Sequence, residues 1–450
     1  MTGTRGRSDA VGGGREGDRP GLEPVATVVI ESLAAGGEGV GRLPDGMAVF
    51  VPRTAPGDRV AVAGLRRRRR YARAGVERVL ERGPGRVEPA CIHFTRDGCG
   101  GCQWQHLSAE RQAEAKRRIV GDALRRIGAL AVEDPPLVPS RRSYGYRATM
   151  TLTVRWERDA PVVGFHHAER ADRVFPLERC EIAREETRAL WSALRPALHA
   201  LPRGTDVRLK LRLARDGALH VVVVGGEGAW TGAQPLATAA AAAGCAATVW
   251  WQPTGGAARR LAGPEADRSA VAFEQVNPEV ADGLRAAILE SVPAAARRVL
   301  DLYAGTGETG RAIAQPGRGV VSVELDRAAA VDAVRRAQRE GIAIEVLTGR
   351  VEDLVERLLP ADVVIANPPR AGLAPGVSAA LADRPPERLV YVSCDPATLA
   401  RDLRRLGAEP ARLRLRCYDM FPQTSHVETL AVLSRRDPSA QATPEGDRTP

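Results

Sequence analysis

RRVLDLYAGTGETG, residues 297–310, decides the fold. It reads as an apolar run, then a glycine-rich loop, then the start of a helix. The pattern repeats downstream. VVSVELD (320–326) leads into helical AAAVDAVRRAQREG (328–341), and IEVLTGR (344–350) follows. ADVVIANPPRAG (361–372) and RLVYVSCDPATLARDLRRLG (388–407) are two further strand–loop pairs. Alternation of this kind predicts an α/β domain over 271–435, built on a parallel, doubly wound, Rossmann-like sheet. Ligands of such sheets sit at the carboxyl ends of the strands, where these loops fall.

The loop contains G-x-G-x-x-G as Gly305, Gly307 and Gly310. That fingerprint alone also suits a dinucleotide, and a tight turn without a ligand is the bland alternative. The D-x-x-x-G-x-G form that starts at Asp301 has the look of S-adenosylmethionine enzymes. Glu324 closes the next strand, about twenty residues on, where an acid can accept both ribose hydroxyls. NAD would use the same acid, so Glu324 does not discriminate between the two.

Upstream, residues 22–82 read as short strands: VATVVIES, MAVFVPR, DRVAVAGLR and RAGVERVLE. The breaks are AAGGEGVGRLPDG and TAPGD. Short strands at this spacing predict a small antiparallel barrel. Arg66 to Arg70 form an unbroken run there, with Arg73 and Arg78 beyond it. A basic patch on a small barrel fits single-stranded RNA, and a solvated loop is the alternative. SAERQAEAKRRIVGDALRRIGAL (108–130) predicts a helix capped by Ser108. Residues 83–270 hold a cysteine-rich segment and then an α+β central domain, whose strands include YRATMTLTVRW, DVRLKLRLA, ALHVVVVGG and CAATVWWQP. The tails, 1–21 and 436–450, read as disordered.

With 450 residues the chain is long enough for two or three domains, each with a core. No apolar run approaches the roughly 18 residues that span a membrane, and the first residues lack the apolar stretch of a secretory signal. A cytoplasmic address is expected. The net charge is +10, carried almost wholly by arginine, since Lys116 and Lys210 are the only lysines. Of seven cysteines, three fall in CIHFTRDGCGGCQWQH (91–106). In a reducing compartment an odd count suits metal or catalytic roles better than disulfides. On the residues alone a zinc site, an iron–sulfur cluster and a redox pair all stay open.

Three more motifs fall at the same sheet edge. Two prolines stiffen the loop after Asn367, ahead of Arg370. Cys394 ends a strand just before a proline-started helix, whose positive end is expected to favour thiolate. HVETLAVL puts His426 and Glu428 at the start of the last strand. An activated cysteine, a carboxylate and a methyl donor are what methylation at C5 of uracil needs. Thiolate addition at C6 makes C5 nucleophilic, and a base must then remove the C5 proton so that the thiolate can leave.

The order FEQVN, DLYAGTG, VELD, NPPRAG, VSCDP and HVETL resembles the bacterial RNA 5-methyluridine methyltransferases, which include the transfer-RNA uracil-54 enzyme and the 23S rRNA uracil enzymes. The resemblance covers residues 22–435. It implies a TRAM domain at 22–82 and a family-type central domain, with GYRATM, VVGFHH and Cys180. It implies Cys394 as nucleophile and Glu428 as base. Gln275, Tyr303, Glu308, Glu324 and Asn367 match positions that contact S-adenosylmethionine. It implies a [4Fe–4S] cluster on Cys91, Cys99, Cys102 and Cys180. Zinc on the same four thiols is the alternative, and could recruit His93 or His106. Seven residues separate Cys91 from Cys99, more than in many relatives. Asn367 stands where the family usually has aspartate, and Arg350 near where an acid or amide is common. Cys245 and Cys417 match no motif and are expected in the core.

Two rivals stand beside this reading. Enzymes that methylate exocyclic amines carry an aromatic residue after Asn-Pro-Pro and need no cysteine; here Arg370 follows. An RNA-binding cluster protein with a decayed catalytic domain would not need the complete glycine loop. The TRAM domain and cysteines lean toward 23S rRNA over transfer RNA as the partner, and a monomer is expected.

Overall fold

The computed structural model describes residues 26–226, 228–266 and 274–435, so the expected terminal tails and Phe273 lie outside the described residues. Contacts divide the chain into two units. The first is residues 26–32 with Glu38–Pro84; the second is Leu33–Gly37 with 85–435.

The first unit is a closed five-stranded barrel: β1 (Ala26–Leu33), β2 (Gly39–Arg42), β3 (Ala48–Val51), β4 (Arg59–Arg67) and β5 (Ala72–Glu81), in the order β1-β2-β3-β5-β4. It is not wholly antiparallel, because β3 and β5 run parallel. An odd number of strands cannot close a ring with every neighbour reversed, so one parallel pair is unavoidable. Val28, Ile30, Val49, Val51, Val60 and Val62 fill the interior; in β1 they alternate with exposed residues, as a half-buried strand requires. β2 falls inside a stretch that reads as a loop. Its Gly39 and Gly41 are there for close packing: a Cβ on either would collide with Thr54 and Ile30, or with Val28 and the Val29 carbonyl.

In the second unit the cysteine segment contains one short helical turn, α1 (Ile92–Thr95). It is followed by α2 (Ala109–Arg126), where the Ser108 hydroxyl caps the helix by accepting from the Arg111 N–H at 3.4 Å. A two-residue strand, β6 (Leu137–Val138), precedes the central sheet. That sheet is built from β7 (Thr149–Glu157), β8 (Ala160–His166), β9 (Val174–Pro176), β10 (Arg208–Leu213), β11 (Leu219–Val224), β12 (Ala247–Gln252) and β13 (Arg259–Ala262). Its order is β13-β12-β11-β10-β7-β8-β9. Two helices, α3 (Glu185–Leu194) and α4 (Ala233–Ala242), pack on one face through Leu190, Trp191, Leu194, Leu236 and Ala240.

The C-terminal sheet follows. It contains β14 (Arg298–Leu302), β15 (Gly319–Glu324), β16 (Glu345–Thr348), β17 (Val363–Ala366), β18 (Arg388–Ser393), β19 (Leu413–Tyr418) and β20 (Glu428–Ser434). Its helices are α5 (Pro278–Glu290), α6 (Glu308–Ile313), α7 (Arg327–Glu340), α8 (Val351–Leu358), α9 (Pro375–Asp383) and α10 (Pro396–Arg405). The strand order is β16-β15-β14-β17-β18-β20-β19-β6. The first five strands are parallel, and β20 runs antiparallel to both its neighbours. Successive residues feed opposite faces: Leu300, Leu302, Val364 and Ala366 one core, Val299, Val363 and Ile365 the other. A parallel sheet covered on both faces needs such unbroken apolar runs. Cys417 lies fully buried in β19, as expected, while Cys245 is only half-buried. Among the described residues no helix is long and apolar enough to cross a membrane.

Candidate active site

Because β20 is antiparallel, its first residue lies at the same sheet edge as the last residues of β14, β15, β17 and β18. The β18–β20 register pairs Ser393 with Thr429. The next residues along the two chains are Cys394, just past the end of β18, and Glu428, whose charge acts on the Cys394 thiol. Two motifs more than thirty residues apart in sequence therefore meet.

Burial pushes the Glu428 carboxyl up to about 7, with the Arg370 guanidinium pulling the other way. Cys394 is half-buried, and its thiol is raised, first by burial and second by the Glu428 charge; Arg370 lowers it. The expected lowering by α10 is therefore not the net effect here. The Asp395 side chain caps that helix by accepting from the Thr398 N–H, which places another negative charge beside the thiol. Asn367, exposed at the end of β17, begins the loop that carries Arg370. His426 precedes β20 rather than lying on it, and its imidazole is held below the usual range by burial and then by the charges of Arg370, Lys116 and Arg147.

The glycine loop lies along the same edge. Gly305 and Gly307 have φ of 57° and 69°, and a Cβ on Gly307 would run into Ala333 of α7. The buried Asp301 accepts from the Gly310 N–H at 3.0 Å, which fixes the start of α6. Burial raises that carboxyl to about 7. Glu324 accepts from Gly305 N–H and Asp326 N–H, each at 2.7 Å, so its carboxylate is oriented at the loop. Tyr303 adopts φ 61°, and burial pushes its phenol up to about 12. Glu308 opens α6 and pairs with Arg285 of α5. Gln275 is half-buried just before α5. Arg350 caps no bond but pairs with Glu352 in the first turn of α8. A cavity of about 520 Å³ between the central sheet and α7, lined by Arg212, His220, Thr248 and Arg336 among others, contains none of these residues.

A family model for tRNA (Uracil-5-)-methyltransferase matches residues 348–436, which include Cys394 and Glu428, and a TRAM domain model matches 25–76. The 23S rRNA (uracil(1939)-C(5))-methyltransferase RlmD of Azoarcus sp. is 34% identical over 91% of this chain and 99% of its own length. An uncharacterised RNA methyltransferase of Gloeobacter violaceus is 33% identical over 91% of this chain and 96% of its own. The chain belongs to the RNA uracil-C5 methyltransferase family. Its fold agrees. The Pyrococcus abyssi tRNA (uracil-54, C5)-methyltransferase, solved with S-adenosyl-L-homocysteine, matches with a TM-score of 0.67 at 23% identity, over 90% of this chain and 99% of that one.

The family's cysteine layout has a partial counterpart. Cys91, Cys102 and Cys180 share one buried cluster with Phe94, Tyr144, Tyr146 and Ile182. Cys99 and Cys180 lie close enough to the Cys102 thiol to raise it electrostatically, beyond the rise from burial. All four are free thiols. Among the described residues, however, no group of three or more His, Cys, Asp or Glu side chains is arranged to hold a metal ion. The expected convergence on a ligand geometry is therefore not seen. His93 is not available as a ligand. Its Nδ1 faces Asp97 at 2.6 Å, and its Nε2 accepts from the Glu178 N–H at 3.0 Å. Asp97 lies in the lengthened Cys91–Cys99 interval, so the extra residues supply the partner that orients His93 against the strand end before Cys180. His106 stacks on Phe94 with ring centroids 5.9 Å apart.

Two features were not foreseen from the sequence of this family member. Arg370 acts on the charges of Cys394, Glu428 and His426 together. Its position after Asn-Pro-Pro was the available signal. The loop 419–427 is bound by residues of the cysteine segment and α2 (Gln103, Trp104, Gln112, Lys116), and no local pattern announces such distant partners.

Proposed function

We propose that this protein methylates C5 of a uridine in RNA, using S-adenosylmethionine, with 23S rRNA favoured over transfer RNA as substrate. The β18–β20 register, which ends at Ser393–Thr429 with Cys394 and Glu428 next in line and the Glu428 charge acting on the Cys394 thiol, is the observation that supports this reading. The rRNA preference leans on the relative of Azoarcus sp., which is named for 23S rRNA.

S-adenosylmethionine, when bound, supplies a methyl group on a sulfonium, activated toward a carbon nucleophile. Glu324 is oriented to accept the ribose hydroxyls, with Tyr303, Gln275, Glu308 and Asn367 as the remaining donor-site residues. Asn367 keeps the shape of an acid but not its charge. The Cys394 thiolate adds to C6, and the electrons of the C5=C6 bond become available at C5 to take the methyl group. Glu428 then accepts the C5 proton. The C–H electron pair restores C5=C6 and expels the thiolate. A carboxyl with a pKa of about 7 is half in its basic form at neutral pH, which suits a base that must later release its proton. Arg370 is suited to hold both anions of the site without neutralising either by proton transfer.

We further propose that Cys91, Cys99, Cys102 and Cys180 hold a [4Fe–4S] cluster. The donor set supports this reading: Cys91, Cys102 and Cys180, from two distant segments, share one buried cluster, Cys99 acts on the Cys102 thiol, and none of the four is spent in a disulfide. Zinc on the same four thiols is the alternative, and the metal content of the purified protein separates the two. No step of the methyl transfer draws on it.

Glu428→Gln is the test of the mechanism. Proton removal should slow by about 10²–10⁴-fold. A covalent protein–RNA band in denaturing gels should accumulate, dependent on Cys394 and on the methyl donor. Turnover at the parent rate would remove Glu428 from the role. For the cluster, anaerobically purified protein should carry about four iron and four sulfide per chain; stoichiometric zinc in an iron-free, active protein would overturn it.

A further inference from the structure

Gln423 stands out in the loop before β20. It is 4% exposed and holds a left-handed φ of 69°, one of five non-glycine residues with positive φ among those described. Such a conformation persists only where surrounding bonds over-determine it. Here every polar group of the residue is engaged. Its N–H donates to Gln112 Oε1 at 2.8 Å. Its carbonyl accepts from the N–H groups of Gln103 and Trp104, at 3.0 and 2.9 Å. Its Oε1 accepts from Gln112 Nε2 at 3.0 Å, and its Nε2 donates to the Ser143 carbonyl at 3.3 Å.

Gln112 is 2% exposed and completes the arrangement, since its Nε2 also reaches the carbonyls of Leu107 and Trp104 at 2.9 and 3.1 Å. Neighbouring residues of the loop are held from the same side. Tyr146 Oη donates to the Pro422 carbonyl at 3.1 Å, and Lys116 Nζ to the Phe421 carbonyl at 3.0 Å. Thr424 Oγ1 donates to the Phe421 carbonyl at 2.7 Å and accepts from the His426 N–H at 3.3 Å. Two residues after His426 stands Glu428. Only four residues separate the left-handed turn from the carboxylate, and β20 enters the sheet at that carboxylate, paired with Tyr418.

We propose that Gln112 and Gln423 are positioning residues for Glu428: together they lock the turn before β20 to the cysteine segment, beginning at the residue next to Cys102. The segment thereby sets where the carboxylate meets the C5 proton. The inference rests on the reading of Glu428 as the base. It assigns the cysteine segment a mechanical part in the proton-removal step, whatever the thiols bind.

Gln112→Leu keeps the volume and removes the bonds to Gln423. Gln423→Gly suits the left-handed backbone and keeps its main-chain bonds, so it tests the side chain alone in a variant expected to fold. Both are assayed on RNA tritiated at C5 of uridine, with methyl transfer, tritium release and the covalent protein–RNA band followed in the same quenched samples. Methyl donor affinity is measured by titration. Gln112→Leu is expected to slow tritium release by about tenfold or more, a fraction of what a positioned base contributes. The covalent band should accumulate, while methyl transfer within the complex and donor affinity stay near the parent values. Gln423→Gly should show the same pattern at smaller amplitude. Equal slowing of every step, or a fold-wide loss without accumulation of the band, would overturn the inference, as would parent-like release in either folded variant. If Gln112→Leu does not fold, Gln423→Gly decides. Glu428→Gln run in parallel separates the two readings: parent-like turnover there refutes the base, whereas trapping there with no effect in the glutamine variants refutes only the positioning.

Discussion

Cys394 lies between two charges that act on it in opposite senses. Burial raises the thiol most, Glu428 raises it further, and Arg370 lowers it. Glu428→Gln should therefore increase the rate at which iodoacetamide alkylates Cys394 at a fixed pH below the thiol pKa, because more thiolate is present. Arg370→Gln should decrease it. Rates measured across pH, with mass spectrometry to identify the alkylated residue, check both signs. Similar rates in all three proteins would mean that neither charge reaches the sulfur. Turnover carries a second sign. A base with a pKa of about 7 loses its free form as pH falls, so methylation should fall as pH drops through about 7. The identities of both residues were legible because each ends or begins an apolar strand beside a loop. The direction of the thiol shift was not. A helix terminus can be read in DPATLARDL, but the burial that outweighs it depends on how β20 closes over the edge.

At the scale of elements, strands with clean alternation or unbroken apolar runs were readable, and those broken by charge or glycine were not. β19, LRLRCY, alternates half-buried leucine with exposed arginine, and the sequence reading named no element there. β2 is half glycine and was read as a break, although those glycines exist to let strands approach. The arginine run proved to span the tip of the β4–β5 hairpin. The turn is closed by the Arg68 N–H donating to the Tyr71 carbonyl at 2.7 Å, and Tyr71 packs edge-on against Phe50. Arg67 pairs with Asp45 and Arg73 with Glu38. Arg66, Arg68, Arg69 and Arg70 make no ion pair among the described residues. Charges left unbalanced on a barrel of TRAM type are suited to RNA phosphates. Replacing Arg68 and Arg70 with glutamine should lower the log–log salt slope of RNA binding by about 1–2, from roughly 0.7 per single-strand phosphate contact. An unchanged slope would leave the run as solvated charge.

Across the whole second unit, α2 joins stretches that are three hundred residues apart in sequence. Gln112 and Lys116 are one turn apart on its buried face, and both reach the loop 419–423. Lys116 is fully buried and meets Asp419 at 2.5 Å, whereas Asp419 keeps 13% of its side chain exposed. Burial lowers the lysine, and Asp419 acts against that. The two partners should therefore not be equivalent. Removing Asp419 leaves a wholly buried ammonium with one carbonyl partner, and breaking a buried pair in this way costs about 3–5 kcal/mol. Removing Lys116 leaves a carboxylate that still reaches water, so Lys116→Met should cost less. The double variant should recover part of the Asp419→Ala loss, since no charge then stays buried. The pH dependence gives the sign. In Asp419→Ala the folded pKa of Lys116 lies further below its unfolded value, so the fold is penalised in full at low pH and the penalty fades as pH rises toward the unfolded lysine value. Urea melts of the four proteins at pH 6 and pH 9 measure this. The Asp419→Ala deficit should be smaller at pH 9 than at pH 6. An equal deficit at both would mean that the buried lysine charge is not what the aspartate supports.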